Sequence, residues 1–424
     1  MSEESNGPTA ASAAEKDVGG SAGRRRRPRR RRHKRSNSGA TAVSEFEGAT
    51  TLASTGGYLW RRDDGRMVLV PENRNFRTSS GDPVVDAGLV GRWHLEPGLQ
   101  VAGVVQGKGG KNRATVTGLT AIESLAPEEY RPKALPFGEL VSIDPADRFS
   151  LETDPALLEP RVIELMAPIG KGQRCLIVAP PKAGKTTLLQ QLAHAIGVNH
   201  PEVQIFVLLV DERPEEVTDW RRSVVRGEVV ASSSDESIQS HIEVSEMVLE
   251  RSRRLVELGQ HVVVFMDSLT RMSRAYNNNQ RGSGRIMSGG IDARTMEKPR
   301  RFFGSARNIE GGGSLTIVAT CLVDTGSRMD EVIFQEFKGT GNMEIVLSHD
   351  LFERRIFPCV NIPQSGTRKE EKLYPKEAVE KIYLLRRALA TLPPHEAMQL
   401  LLTKLKQTKT NAEFLAGVQV PGAR

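Results

Sequence analysis

The stretch Ala179-Pro-Pro-Lys-Ala-Gly-Lys-Thr186 decides the fold, because it closes an apolar run and opens a helical one. Before it, Cys175-Leu-Ile-Val-Ala179 reads as a central strand; after it, Leu188, Leu189, Leu192, Ala193 and Ile196 recur at helical spacing until Gly197, which is expected to stop the helix. Strand, loop and helix in that order make a phosphate-binding loop. Backbone N–H groups and the macrodipole at such a helix start attract an anion, Lys185 can reach β- and γ-phosphates, and the Thr186 hydroxyl can ligate Mg²⁺. The motif usually opens with Gly, whereas Ala179 stands here and Pro180 and Pro181 offer no N–H. The cradle is therefore expected from the amides of Lys182, Ala183, Gly184, Lys185, Thr186 and Thr187, and nucleotide hydrolysis is the implied chemistry.

Downstream, Ile205–Val210 and His261–Met266 are apolar strands that each end in carboxylates, Asp211-Glu212 and Asp267. A strand-terminal acid is often only a helix cap. Two of them beside a phosphate loop read as a Walker-B Asp267 that holds Mg²⁺ through its water shell and a Glu212 that orients the attacking water. Strands alternating with helices from Arg161 onward imply a largely parallel sheet with its ligand at the carboxyl ends of the strands.

The chain has 424 residues, 38% of them hydrophobic, and a formal charge of +7. Arg24–Arg35 alone supplies ten of the 59 basic residues, and the remaining 49 face 52 acidic ones, so the body is nearly neutral. Residues 1–50 read as a disordered Arg-rich tail whose partner is a polyanion, with nucleic acid ahead of an anionic membrane surface. Residues 51–125 carry several short β-like runs between turn signals and suggest a small β-barrel of the OB-fold or cold-shock kind. Residues 126–160, rich in Pro, read as a connector, and residues 161–424 as the α/β domain. Cys175, Cys321 and Cys359 read as buried cytosolic thiols, no zinc spacing occurs, and no run approaches the ~20 apolar residues of a membrane span. A cytoplasmic protein is expected.

Asp211-Glu-Arg-Pro-Glu-Glu-Val217, Asp267-Ser-Leu-Thr-Arg-Met-Ser-Arg-Ala-Tyr-Asn277, Arg301-Phe-Phe-Gly304, Phe337-Lys-Gly-Thr-Gly-Asn342 and Ser365-Gly-Thr-Arg-Lys-Glu370, together with the two-proline loop, closely resemble the bacterial transcription termination factor Rho family. The likeness runs from about Val162 to Phe414. It implies a RecA-like P-loop ATPase domain behind the small barrel, using ATP and Mg²⁺, assembled as a homohexameric ring that moves along nascent single-stranded RNA as a helicase and acts on the RNA polymerase transcription complex. It implies that Lys182, Lys185, Thr186 and Arg213 contact nucleotide or metal, that Glu212 is catalytic, and that Arg355 supports the phosphates. Phe357 would stack on adenine, and Arg368 would be an arginine finger reaching the neighbouring subunit's γ-phosphate. Arg285, Ile286 and Ser288 in one polar loop and Arg328 in another would grip RNA, with Arg at 285 and 328 where the family usually carries Lys.

The departures lie in the N-terminal third. The Arg-rich tail occupies the place of the family's small helical domain, and the family's DGFGFLR string appears as Asp64-Gly-Arg-Met-Val-Leu-Val70. Arg66 and Val68 replace two aromatics on which bases would stack at about 1–3 kcal/mol each. Tyr58, Trp60 and Trp93 are expected mainly in barrel packing. Two other readings are a rotary ATP-synthase-type catalytic subunit and an ATP-binding, RNA-binding regulatory ring without translocation.

Overall fold

The computed structural model describes residues 53–107, 114–130, 135–279, 288–292 and 294–419; the Arg24–Arg35 run, Arg285 and Ile286 lie outside them. Five strands, β1 (Ala53–Arg61), β2 (Met67–Pro71), β3 (Val84–Val85), β4 (Gln100–Gln106) and β5 (Thr115–Ile122), close a barrel in the order β1-β2-β3-β5-β4. Closure removes the unpaired edges that short strands would otherwise expose. The strands approach so closely at Gly103 that a Cβ there would sit 2.3 Å from the Gly118 carbonyl oxygen. Leu59, Leu69, Leu99, Val116, Ile122 and Trp93 fill the interior. Strand β2 is buried on both faces: Met67 and Leu69 point into the barrel, Val68 and Val70 into the neighbouring α/β core.

The second sheet comprises β6 (Ser142–Ile143), β7 (Arg174–Ala179), β8 (Gln204–Glu212), β9 (Glu228–Ser233), β10 (His261–Asp267), β11 (Arg307–Ile309), β12 (Ser314–Leu322), β13 (Met343–Val346) and β14 (Gly366–Thr367). Its main path is β14-β13-β7-β12-β10-β8-β9, and the pairs from β13 to β9 are parallel. The apolar runs are continuous because both faces are covered. Along β7, Cys175, Ile177 and Ala179 enter one core while Leu176 and Val178 enter the other. Parallel alignment carries the carboxyl ends of β7, β8, β10 and β12 to one rim.

Two expectations change. The helix after the phosphate loop runs through Gly197 to Asn199. Gly197 is buried there, and a Cβ on it would make only ordinary contacts with Arg226 and Ile205, so tertiary packing outweighs its weak helix propensity. The Pro-rich stretch is also more than a tether, since β6 pairs with β11 and extends the large sheet, and Tyr130 and Phe137 are buried. Among the described residues no helix is long and apolar enough to cross a membrane.

The barrel docks on the helix Ile238–Glu257. Gly98, at φ 86°, brings its backbone so close that a Cβ would lie 2.4 Å from the Glu250 carbonyl carbon. Beside it, Arg251 of the helix pairs with Glu123 at the end of the barrel, both side chains being almost wholly buried. Removing one partner of a buried ion pair strands the other charge. Glu123→Ala should therefore lower stability by about 3–5 kcal/mol in denaturant titrations. A loss under about 1 kcal/mol would show that this pair does not hold the barrel in place.

Candidate nucleotide site

The rim of the large sheet is built from the loop that follows β7. Lys182 (φ 66°) and Gly184 (φ 83°) both adopt left-handed backbone, and a Cβ on Gly184 would meet nothing within 4 Å. That turn caps the helix Lys185–Asn199, so the orphan N–H groups of its first turn face out of the rim. Lys182 and Thr187 are exposed, Thr186 is half-buried and Ala183 is buried.

Lys185, Thr186, Glu212 and Asp267 converge. Asp267, at the end of β10 and fully buried, accepts hydrogen bonds from Lys185 Nζ at 2.5 and 2.6 Å and from Thr320 Oγ1 at 2.8 Å. Thr186 Oγ1 donates to its Oδ2 at 3.3 Å. In β8, Asp211 has φ 58° and the pairing with β9 slips between Val210 and Glu212. The irregularity turns Glu212 inward, to 2% exposure, while the Asp211 side chain keeps 35%. Glu212 Oε1 lies 3.6 Å from Lys185 Nζ and 3.2 Å from Arg271 Nε, yet no aligned hydrogen-bond donor reaches it among the described residues. Burial, reinforced by the Asp267 carboxylate, pushes the Glu212 carboxyl up to about 7 against the opposing pull of Lys185 and Arg271.

This donor set fits a hard divalent cation, because the Thr186 hydroxyl and the Asp267 carboxylate are adjacent oxygen ligands at a helix N-terminus. The orphaned buried oxygen of Glu212 fits a partner that donates a proton, such as water.

Other expected residues lie on segments that leave this rim. Arg213, exposed, precedes the helix Pro214–Ser223. Strand β13 runs beside β7 with Val346 opposite Val178, so the following segment leaves the sheet near the phosphate loop. That segment holds Arg355, exposed at φ 58°, and Phe357, 43% exposed with its ring 6.1 Å from Phe352. The loop after β12 leaves the rim with Val323 N–H bonded to the Ala179 carbonyl. Arg328 is exposed at the first turn of the helix Arg328–Lys338, and the backbone of Ser288–Gly290 lies against that turn, where a Cβ on Gly289 would be 2.9 Å from the Arg328 carbonyl oxygen.

Arg368 is elsewhere. It follows β14, whose partner residue Met343 pairs with Cys175 at the opposite end of β7, and its backbone N–H bonds to Asn342. The six residues of β7 at about 3.3 Å each separate it from its own phosphate loop by roughly 17 Å or more. Its exposed side chain makes no hydrogen bond or ion pair among the described residues.

Three site residues escaped the sequence reading: Arg271, Thr320 and His241. Arg271 stands four residues after Asp267, so one helical turn returns it to the rim, where it bonds to the Asp211 carbonyl at 2.5 Å. Thr320 and His241 have no sequence signal; only the pairing of β12 with β10 and the packing of a distant helix bring them in.

Residues 160–367 match the ATP synthase alpha/beta family, nucleotide-binding domain. Relatives named "Transcription termination factor Rho" include a Micrococcus luteus protein, 50% identical over 82% of this chain and 53% of its own length, and an Aquifex aeolicus protein, 51% identical over 82% of this chain and 80% of its own. The chain thus spans about half the length of the Micrococcus relative and of a Streptomyces lividans relative that is likewise 50% identical. Among solved structures, an ATPase from the type III secretion system of pathogenic bacteria has a TM-score of 0.55 at 18% identity, covering 74% of this chain and 93% of that one. That likeness shows the fold alone. The relatives at about 50% identity carry the Rho name, and the rotary-type alternative is not favoured.

The raised Glu212 carboxyl has a consequence for stability. Its folded value of about 7 exceeds the ordinary 4.5, so ionised Glu212 destabilises the fold increasingly as pH rises from about 4.5 through 7. Glu212→Gln should raise the melting temperature at pH 8 and leave it nearly unchanged at pH 4.5. A gain that is equal at both pH values would contradict the assignment.

Proposed function

The chain belongs to the transcription termination factor Rho family, and from that premise we propose that it is an RNA-dependent ATPase that translocates along nascent RNA in the cytoplasm and terminates transcription. The observation that carries the reading is the convergence of Lys185, Thr186, Glu212 and Asp267 on one buried rim of a parallel sheet. Lys185 neutralises the β- and γ-phosphates of ATP, and the amides of Lys182 to Thr187 cradle them. Arg213 and Arg355 add charge at the same rim, and the exposed face of Phe357 stacks on adenine. Thr186 and Asp267 would hold Mg²⁺, which supplies neutralisation of phosphate charge when bound. Glu212 accepts the proton-bearing edge of water and aligns its oxygen with the γ-phosphorus; hydrolysis of a phosphoanhydride needs alignment more than a strong base.

Arg368 cannot serve its own nucleotide across the length of β7. That separation supports action in trans, across the interface of a homohexameric ring, where an added cation stabilises the charge developing on the transferred phosphoryl group. The close approach of the Gly289 backbone to Arg328 supports reading these two loops as one RNA grip, with Arg285, Ile286, Ser288 and Arg328 as its contacts. Action on the RNA polymerase complex follows from movement toward it along the transcript.

Removal of Lys185 silences a subunit's own rim, whereas removal of Arg368 silences the neighbour's. Rings mixed from Lys185→Ala and Arg368→Ala subunits should recover ATP turnover well above either variant alone, because some interfaces pair an intact loop with an intact finger. Verified mixed rings that stay inactive at every ratio would refute the trans assignment.

A further inference from the structure

A series of polar contacts, with one step of 4.0 Å, runs from the barrel to Glu212 within one subunit. It starts at the loop after β2, where Asn75 Nδ2 and an Arg77 guanidinium N–H donate to the Ala231 carbonyl at 2.8 and 2.9 Å. The same guanidinium pairs with Glu236 at 2.5 Å. Glu236 accepts from Ser240 Oγ at 2.8 Å, and the Ser232 hydroxyl contacts Ser240 Oγ at 3.0 Å and His241 Nδ1 at 2.7 Å. His241 Nε2 then faces Asp211 Oδ1 at 4.0 Å. Asp211 holds Arg271 through its carbonyl oxygen, and Arg271 Nε reaches Glu212 at 3.2 Å.

The middle of this series is buried and selective. Ser232 is fully buried and His241 is 5% exposed, on strand β9 and on the helix Ile238–Glu257 respectively. Burial pulls the His241 imidazole below its ordinary range, so it is neutral near pH 7, with one N–H. Ser232 has one hydroxyl proton: given to Nδ1, it leaves an Nε2–H on the side of the Asp211 carboxylate and no proton for the 3.0 Å Ser240 contact; given to Ser240, it takes the Nδ1–H and sets an Nε2 lone pair toward that carboxylate. The Asp211 charge thus selects the first arrangement. Across 4.0 Å the imidazole acts on the Asp211 charge by electrostatics rather than through a hydrogen bond, and Asp211, at φ 58°, sits at the irregularity that turns Glu212 inward.

We propose that His241 is a positioning residue for hydrolysis, through which the seating of the barrel loop at Arg77 sets Asp211, Arg271 and finally Glu212. The inference rests on the reading of Glu212 as the water-orienting group. A barrel that shifts when it takes RNA would tighten or loosen Arg77 on Glu236 and Ala231, and the rim would respond without any change at the phosphate loop.

The test measures steady-state ATP turnover of the full chain with and without poly(C) RNA for His241→Leu, His241→Gln, Arg77→Ala and Glu212→Ala. His241→Leu should lower kcat about tenfold or more with KM for ATP within about twofold, and His241→Gln, which keeps an N–H near the Nε2 position, should recover most of it. Arg77→Ala should cut the RNA-stimulated rate severalfold with KM for ATP within about twofold. Wild-type kcat in His241→Leu, or equal loss in Gln and Leu variants with unaltered melting, would overturn the proposal. Should His241→Leu fail to fold, an undiminished RNA response in Arg77→Ala overturns it instead. Turnover that survives in Glu212→Ala condemns the reading of Glu212 itself, separately from any His241 result.

Discussion

Two buried carboxylates at the ends of adjacent strands set the terms for the nucleotide rim. Glu212 and Asp267 sit where like charges repel and water is scarce, so both require compensation from cations fixed in place. Lys185 arrives from the phosphate loop and Arg271 from the helix after β10, and each can do so only because β7, β8 and β10 are parallel and end together. The two-sided core exists, in this sense, to hold a pair of charges that would be costly anywhere else. A site built this way is responsive, since a small shift of either cation changes whether Glu212 is charged and where it points.

Much of this was legible in the sequence because it depends on local patterning. The run Cys175–Ala179, the loop and the helix after it are consecutive, and continuous apolar strands ending in acids predict a parallel sheet with chemistry at its carboxyl rim. The five-stranded barrel was legible from alternation and turn residues. What escaped was non-local: Gly197 reads as a stop until the strand beside it is known, and β6 is too short and exposed to show a pattern before it pairs with β11. His241 and Thr320 join the rim through pairings and packing between residues dozens of positions apart. The inward turn of Glu212 depends on a slipped register that no residue preference announces.

The barrel shows why a motif change need not mean a lost surface. Val68 stands where the resembling family has an aromatic, and here it is wholly buried between the barrel and the α/β core. Arg66 is exposed and tied to Asp64 at 2.5 Å. An apolar β-branched residue suits a strand buried on both faces. Trp93 and Leu59 belong to the barrel core, while Tyr58 packs on Phe76 with ring centroids 4.7 Å apart at the seam with the α/β domain. The barrel therefore presents few aromatic stacking faces among its described residues.

The central claim is that single-stranded RNA governs ATP hydrolysis at the Glu212–Asp267 rim. The most direct measurement is steady-state ATP turnover by the wild-type chain across a titration of RNA homopolymers, with duplex DNA of equal phosphate concentration as the comparison. The account predicts turnover that rises about tenfold or more with RNA, equivalent to about 1.4 kcal/mol or more off the barrier, differs modestly between homopolymers, and stays at the basal rate with duplex DNA. Turnover that is the same with and without RNA would contradict it.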